Sequence, residues 1–292
     1  MKTDIDTKKI GFIGAGKTGF CLGKYFSKID SDDYEVCGYF SRDPESAREA
    51  AAFAGGRAFE TAEELAGECD LLLLTVPDGQ IEGVWEQLLA GLKPSRPLLV
   101  GHCSGCLDSR VFHGEAGSAY AFGSLHPLFA LHDKETAYNG LYRAYFSIEG
   151  DKAFLDFASA LLTELGNPYS EIKAENKILY HAASVMVSNL VNALAYEGMK
   201  LFDECGFDRG FSEYAWRLLF IENAGNAANL SPVRALTGPV ERADLETVEK
   251  HLNALSGDTR EIYRLLSLKL TEVAQIKNPE RDYGELRKIL CK

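Results

Sequence analysis

The stretch Gly11-Phe-Ile-Gly14-Ala15-Gly16-Lys17-Thr18-Gly19 can hold a phosphate in either of two ways. Read from Gly11 it is G-x-x-x-x-G-K-T, a nucleoside triphosphate loop. Read from Gly14 it is G-x-G-x-x-G, in which backbone N–H groups at a helix start receive a pyrophosphate. The strand before the turn separates the two. A triphosphate loop needs that strand from Asp4-Ile-Asp-Thr-Lys-Lys-Ile10, a polar run, whereas the dinucleotide turn ends an apolar one, Lys9-Ile-Gly-Phe-Ile13. A dinucleotide turn is therefore expected, with Gly14 in the tight bend, Gly16 admitting the pyrophosphate and Gly19 letting the helix pack on the sheet. Ala15, Lys17 and Thr18 complete the cofactor contacts, and a P-loop triphosphatase is the weaker alternative.

The end of the next strand, Tyr34–Phe40, indicates which dinucleotide. NAD-binding turns place an acid there for the ribose hydroxyls, but this chain has Ser41-Arg42. A guanidinium beside a hydroxyl suits a 2′-phosphate, so NADP(H) is expected over NAD(H), although Asp43 adjoins the pair. Val76 and Pro77 end a later strand and are read as backbone contacts to the cofactor, with Asp78 as a helix cap.

Proton transfer calls for a titratable group on the same sheet edge. His102-Cys-Ser104-Gly105 and Ser124-Leu-His126-Pro127 each follow a strand, and His126, held by its proline, is the stronger general acid or base. Cys103 and Cys106 have no second pair at metal-finger spacing; they read as reduced thiols, and no metal is expected. Further along, Lys177, His181, Ser184 and Ser188 share one face of a helix, a polar stripe suited to substrate contacts, with Tyr180 and Asn189 beside it.

The elements that must position these residues alternate strand and helix up to about residue 150, including the uninterrupted run Leu71–Leu74 of a central parallel strand. This predicts an α/β Rossmann-like doubly wound sheet over residues 1–170, followed by an all-helical domain over 171–292. A single helix of about 45 Å is expected from Lys173 to Cys205. Its Leu179, Val185, Val187, Leu190, Val191 and Leu194 need more cover than one small domain supplies, so a homodimer through the helical domain is expected. The 292 residues carry a net charge of −12, which argues against nucleic acid. No apolar signal core opens the chain and no run of membrane-span length is read in it, so a cytoplasmic protein with no membrane partner is expected.

In order along the chain, Gly14-Ala-Gly16-Lys-Thr-Gly19, Val76-Pro77-Asp78, Cys103-Ser104-Gly105, Ser124-Leu-His126-Pro127, Lys177-Ile-Leu-Tyr180-His181, Ser188-Asn189 and Leu236-Thr-Gly-Pro239 resemble a family of uncharacterised bacterial oxidoreductases. That family is related to pyrroline-carboxylate reductase, ketopantoate reductase and prephenate dehydrogenase. The resemblance implies a helical second domain like the C-terminal domain of 6-phosphogluconate dehydrogenase. It also implies a functional histidine at His126, as in prephenate dehydrogenases, and a catalytic lysine at Lys177, as in ketopantoate reductases. Two departures stand out. His181 replaces an asparagine of the related lysine helices, and Ala243, within Glu241-Arg-Ala-Asp244, replaces the glycine of an Arg-Gly-Asp.

The expected activity is hydride transfer between NADP(H) and a small carbonyl, imine or hydroxy compound. His126 or Lys177 would manage the proton, and Ser104, His181 and Asn189 would touch the substrate. A non-catalytic NADP sensor is the alternative.

Overall fold

The computed structural model describes residues 7–92, 96–113 and 119–292. Part of the polar run that the triphosphate reading would use as a strand, residues 4–6, lies outside them. Among the described residues, eight strands form one sheet: β1 (Lys8–Ile13), β2 (Tyr34–Phe40), β3 (Arg57–Ala58), β4 (Leu71–Leu74), β5 (Leu98–His102), β6 (Tyr120–Leu128), β7 (Tyr145–Gly150) and β8 (Tyr169–Glu171). Their order is β3-β2-β1-β4-β5-β6-β7-β8, parallel through β6, with β7 antiparallel to β6 and parallel to β8. Strand order reverses between β1 and β4, so a crevice opens at their carboxyl ends.

Alternation along the strands builds a core on each face. Ile10, Phe12, Leu71 and Leu73 pack with α1 (Lys17–Phe26), α2 (Pro44–Ala54) and α5 (Lys152–Glu164). Ile13, Leu72, Leu74 and Val100 pack on the other face with α3 (Ala62–Glu68) and α4 (Asp78–Gly91). This is the covering of both faces that apolar parallel strands require. Gly11 lies inside β1, paired with Gly38 and Leu72, so it cannot open a triphosphate loop. The sequence reading passes over α5 and β8, although Phe154, Ala158, Leu161 and Leu162 already mark a helix by their spacing.

The expected 45 Å helix is not continuous. It divides into α6 (Lys177–Val187) and α7 (Asn189–Glu204) at Ser188, whose φ and ψ are −126° and −79°. Ser184 Oγ donates to the Tyr180 carbonyl at 2.9 Å and Ser188 Oγ to the Ser184 carbonyl at 2.6 Å. Such hydroxyls compete with the helical ladder. The chain divides into compact units at the same place, Met1–Ser188 and Asn189–Lys292, so α6 groups with the sheet and not with the later helices.

The second unit contains α7, α8 (Arg209–Leu230), α9 (Pro232–Ala235), α10 (Leu245–Ala254), α11 (Gly257–Lys277) and α12 (Gly284–Leu290). Its core gathers Val240, Val248, Leu252, Ala274, Tyr283, Leu286 and Leu290. Ala243, where the resembled family has glycine, adopts φ 55°, a left-handed conformation. The helical stretch Ala174–Glu204, although broken at Ser188, contains an 18-residue window of mean hydropathy 1.4 and is long and apolar enough by composition to cross a membrane. Averaged hydropathy tolerates the isolated polar residues that interrupt an apolar run.

Candidate active site

The glycine turn fits its predicted form in detail. Gly14 has φ 105°, and a Cβ there would lie 2.9 Å from the Thr75 carbonyl oxygen. At Gly19 a Cβ would come within 2.4 Å of the Gly14 carbonyl oxygen, so only glycine lets α1 sit this close to the turn. Around Gly16 the nearest atom to such a Cβ would be 4.0 Å away, leaving the backbone open to a ligand. No acidic residue occupies the first turn of α1, so nothing there competes with an anion for the helix N-terminus.

A cleft of about 470 Å³ opens at this turn, lined by Gly14, Ala15 and Gly16, by Ser41 and Arg42 after β2, and by Val76 and Pro77 after β4. Glu60, Thr61, Gln80 and Gln87 also line it and were not foreseen; no local pattern marks them. Lys17, Thr18 and Gly19 do not line the cleft, because they already belong to α1. Arg42 is exposed and donates to Gln80 Oε1 at 3.1 Å. The neighbouring Asp43 accepts from the Glu45 and Ser46 N–H groups and from Ser46 Oγ, so its carboxylate caps α2.

Asp78 joins this edge to the next loop. Its Oδ2 accepts from Ser104 Oγ at 2.6 Å, and Ser104 Oγ itself accepts from the N–H groups of Cys106 and Leu107. Ser104, expected to touch substrate, thus has its hydroxyl committed to shaping the loop. His102 is fully buried: Nδ1 accepts from the Ser104 N–H, and Nε2 donates to the Asp108 carbonyl. Burial lowers its pKa to about 4, so it is a neutral structural group. Burial likewise pushes the Cys103 thiol up to about 12, and Cys103 and Cys106 are free thiols.

Lys177 is completely buried at the start of α6. Its Nζ donates to the Ser104 carbonyl at 2.9 Å and to Ser124 Oγ at 2.8 Å. Ser124 passes a hydrogen bond to Glu149 Oε2 at 3.0 Å, and Glu149 also accepts from the Ser109 N–H and hydroxyl. Burial lowers the Lys177 pKa, opposed first by the charge of Glu149. Glu149 escaped sequence reasoning because an acid in a strand carries no local signal of its partners.

His126 lies in the part of β6 beyond its pairing with β5, where the lost N–H of Pro127 leaves no sheet bond unmade. Its Nδ1 is 2.9 Å from Tyr180 Oη. Burial, then the charges of Lys177 and His181, lowers its pKa to about 4. His181 lies 6.1 Å from it, ring centre to ring centre. Ser184 and Ser188, the rest of the stripe, bond back to their own helix. Asn189 opens α7 in the second unit.

Residues 9–100 match the family model described as NADP oxidoreductase, coenzyme F420-dependent, and residues 144–270 match a domain of unknown function, DUF2520. The first match covers most of the sheet with the glycine turn, and the second runs from the last strands into the helical half. The glycine turn, Ser41, Arg42, Val76 and Pro77 fall within the first match, and Glu149, Lys177, Tyr180 and His181 within the second. Among solved structures, protein TM1727 from Thermotoga maritima is 27% identical, with 92% of this chain and 99% of that chain covered and a TM-score of 0.73. An NADP oxidoreductase candidate from Bacteroides fragilis, BF3122, is 23% identical over 92% of this chain and 100% of that one, with a TM-score of 0.71. The fold extends to a Plasmodium falciparum pyrroline carboxylate reductase solved with NADP bound, 14% identical over 92% and 99% of the two chains, with a TM-score of 0.56. No curated protein matches the sequence.

Proposed function

We propose that this protein is an NADP(H)-dependent oxidoreductase that moves a hydride between the nicotinamide and a small carbonyl, imine or hydroxy compound. The observation that carries this reading is the single cleft that joins the glycine turn to Ser41 and Arg42. The residues fit the cofactor. Backbone N–H groups after Gly14 would meet the pyrophosphate, and Arg42 with Ser41 would meet the 2′-phosphate, while Asp43 is held by its cap on α2. When bound, the nicotinamide supplies or accepts the hydride. Lys177 holds Ser104 and Ser124 in place, and His126 and His181, whose rings meet beside Gly105, would face the substrate.

Saturating NADPH is expected to raise the melting temperature, a gain of about 2.7 kcal/mol at a hundred times Kd. NADH is expected to raise it less, and Arg42→Ala to narrow the difference. Absence of any NADPH shift, or an unchanged NADPH preference in Arg42→Ala, would count against the reading. Binding without turnover across a panel of carbonyls, imines and alcohols would favour a cofactor sensor.

We also infer a cytoplasmic homodimer formed through the helical half. Leu218, Leu219 and Ile221 on α8 are each more than 60% exposed, and Leu190 and Leu194 on α7 are 50% and 44% exposed, an unusual apolar surface for a lone monomer. A second copy suits the stretch 174–204 better than lipid does, because Lys177 within it is bonded to the sheet. Light scattering should give twice the chain mass of 32.1 kDa; the monomer mass at micromolar concentration would overturn this.

A further inference from the structure

Two imidazole nitrogens converge on one point beside Gly105. A carbon placed on the Gly105 Cα would lie 2.8 Å from His126 Nε2 and 2.6 Å from His181 Nδ1. His181 Nδ1 is buried and has no hydrogen-bond partner. The far nitrogen of the His126 ring, Nδ1, meets Tyr180 Oη at 2.9 Å, with the two rings perpendicular at 5.6 Å. His126 is therefore held from behind by a phenol, and its other nitrogen faces a spot where the chain carries only a hydrogen atom.

We propose that Tyr180 is the positioning and proton-relay residue of this site: its hydroxyl donates to His126 Nδ1, holds the ring as the Nε2–H tautomer, and so makes Nε2–H the proton donor to a carbonyl or imine bound beside Gly105. The inference rests on the oxidoreductase reading for its reductant, a reduced nicotinamide. In the reduction, the carbonyl carbon gains a hydride and its π pair moves to oxygen. That oxygen takes the proton from Nε2 as the N–H bond breaks, and the Tyr180 proton passes to Nδ1. The tyrosinate left behind recovers its proton from water. The transfer runs downhill because an alkoxide is a much stronger base than a phenolate.

The protonation states agree with the relay. Burial keeps His126 uncharged at neutral pH, with Lys177 and His181 adding to the effect and Asp78 opposing it. Burial also raises the Tyr180 pKa, partly offset by the neighbouring Ser147 hydroxyl, so the phenol keeps its proton until the substrate draws on it. An imidazolium donor is not needed, since a neutral ring can polarise a carbonyl.

The test has two arms. In the first, long-range ¹H–¹⁵N NMR of the unliganded protein, with His126→Gln used for assignment, should show the His126 ring as the Nε2–H tautomer. Tyr180→Phe should turn it into a tautomer mixture. A wild-type ring protonated on Nδ1 would overturn the proposal, whether or not Tyr180→Phe folds. In the second, NADPH oxidation with a panel of small aldehydes and cyclic imines should lose at least about tenfold in kcat in Tyr180→Phe, with little change in KM. An unchanged kcat would overturn the relay. If wild-type protein fails to bind NADPH, the oxidoreductase reading falls and the relay with it, whereas the tautomer arm still reports what Tyr180 does to His126.

Discussion

Lys177 Nζ donates to Ser124 Oγ at 2.8 Å, tying the first residue of α6 to the middle of β6. This bond, with the one to the Ser104 carbonyl, leaves the ammonium wholly inside the protein. Lys177→Met keeps the stem but strands Ser104 O and Glu149 without their cation. We expect a loss of about 2–4 kcal/mol in urea unfolding, and about half that for Ser124→Ala, which spares the Ser104 contact. A near-neutral Lys177→Met would mean that the ammonium does not hold this corner together.

His102 and His126 make the fold sensitive to acid. Both are lowered from 6.5 to about 4 by burial. Between those values the unfolded chain binds protons that the folded chain does not, so stability falls as pH drops from about 6.5 to about 4 and levels off below. The loss is on the order of 3 kcal/mol at most for each ring. Denaturant midpoints at pH 7 and pH 4.5 should show it, and His102→Asn should flatten the slope.

Gly16 and Gly19 separate cofactor binding from folding. Gly16→Val places its side chain in open space, so it should leave stability within about 0.5 kcal/mol while weakening NADPH binding at least tenfold. Gly19→Val would drive atoms into the Gly14 carbonyl and Thr75 and should cost several kcal/mol, on the order of the worst overpacking changes. Equal loss of stability in both variants would contradict this division.

Ala243 holds a left-handed φ of 55° where glycine would be unstrained. An L-residue there costs about 1–2 kcal/mol, and the extra freedom of glycine in the unfolded chain returns part of it. Ala243→Gly should therefore stabilise the protein by roughly 0.5–1 kcal/mol, seen as a higher melting temperature, and Ala243→Val should lower it.

Features that depend on neighbours in sequence were legible beforehand. The glycine turn could be read because its glycines recur at fixed spacing within nine residues of chain, and β1, β2 and β4 because buried strands must be apolar wherever they pair. The Ser41-Arg42 pair was legible as a candidate phosphate contact, but only the folded chain turned Asp43 away into the α2 cap. Ser104 and Lys177 lie 73 residues apart, and His126 and Tyr180 lie 54 apart. No local pattern could show that Ser104 spends its hydroxyl on Asp78, that Lys177 is buried, or that a tyrosine stands behind the histidine. Residue types and spacing set which groups can do chemistry; the crossing of α6 over the ends of β5 and β6 decided which are buried and neutral and which face open space, because desolvation and hydrogen bonding exist only once distant segments meet.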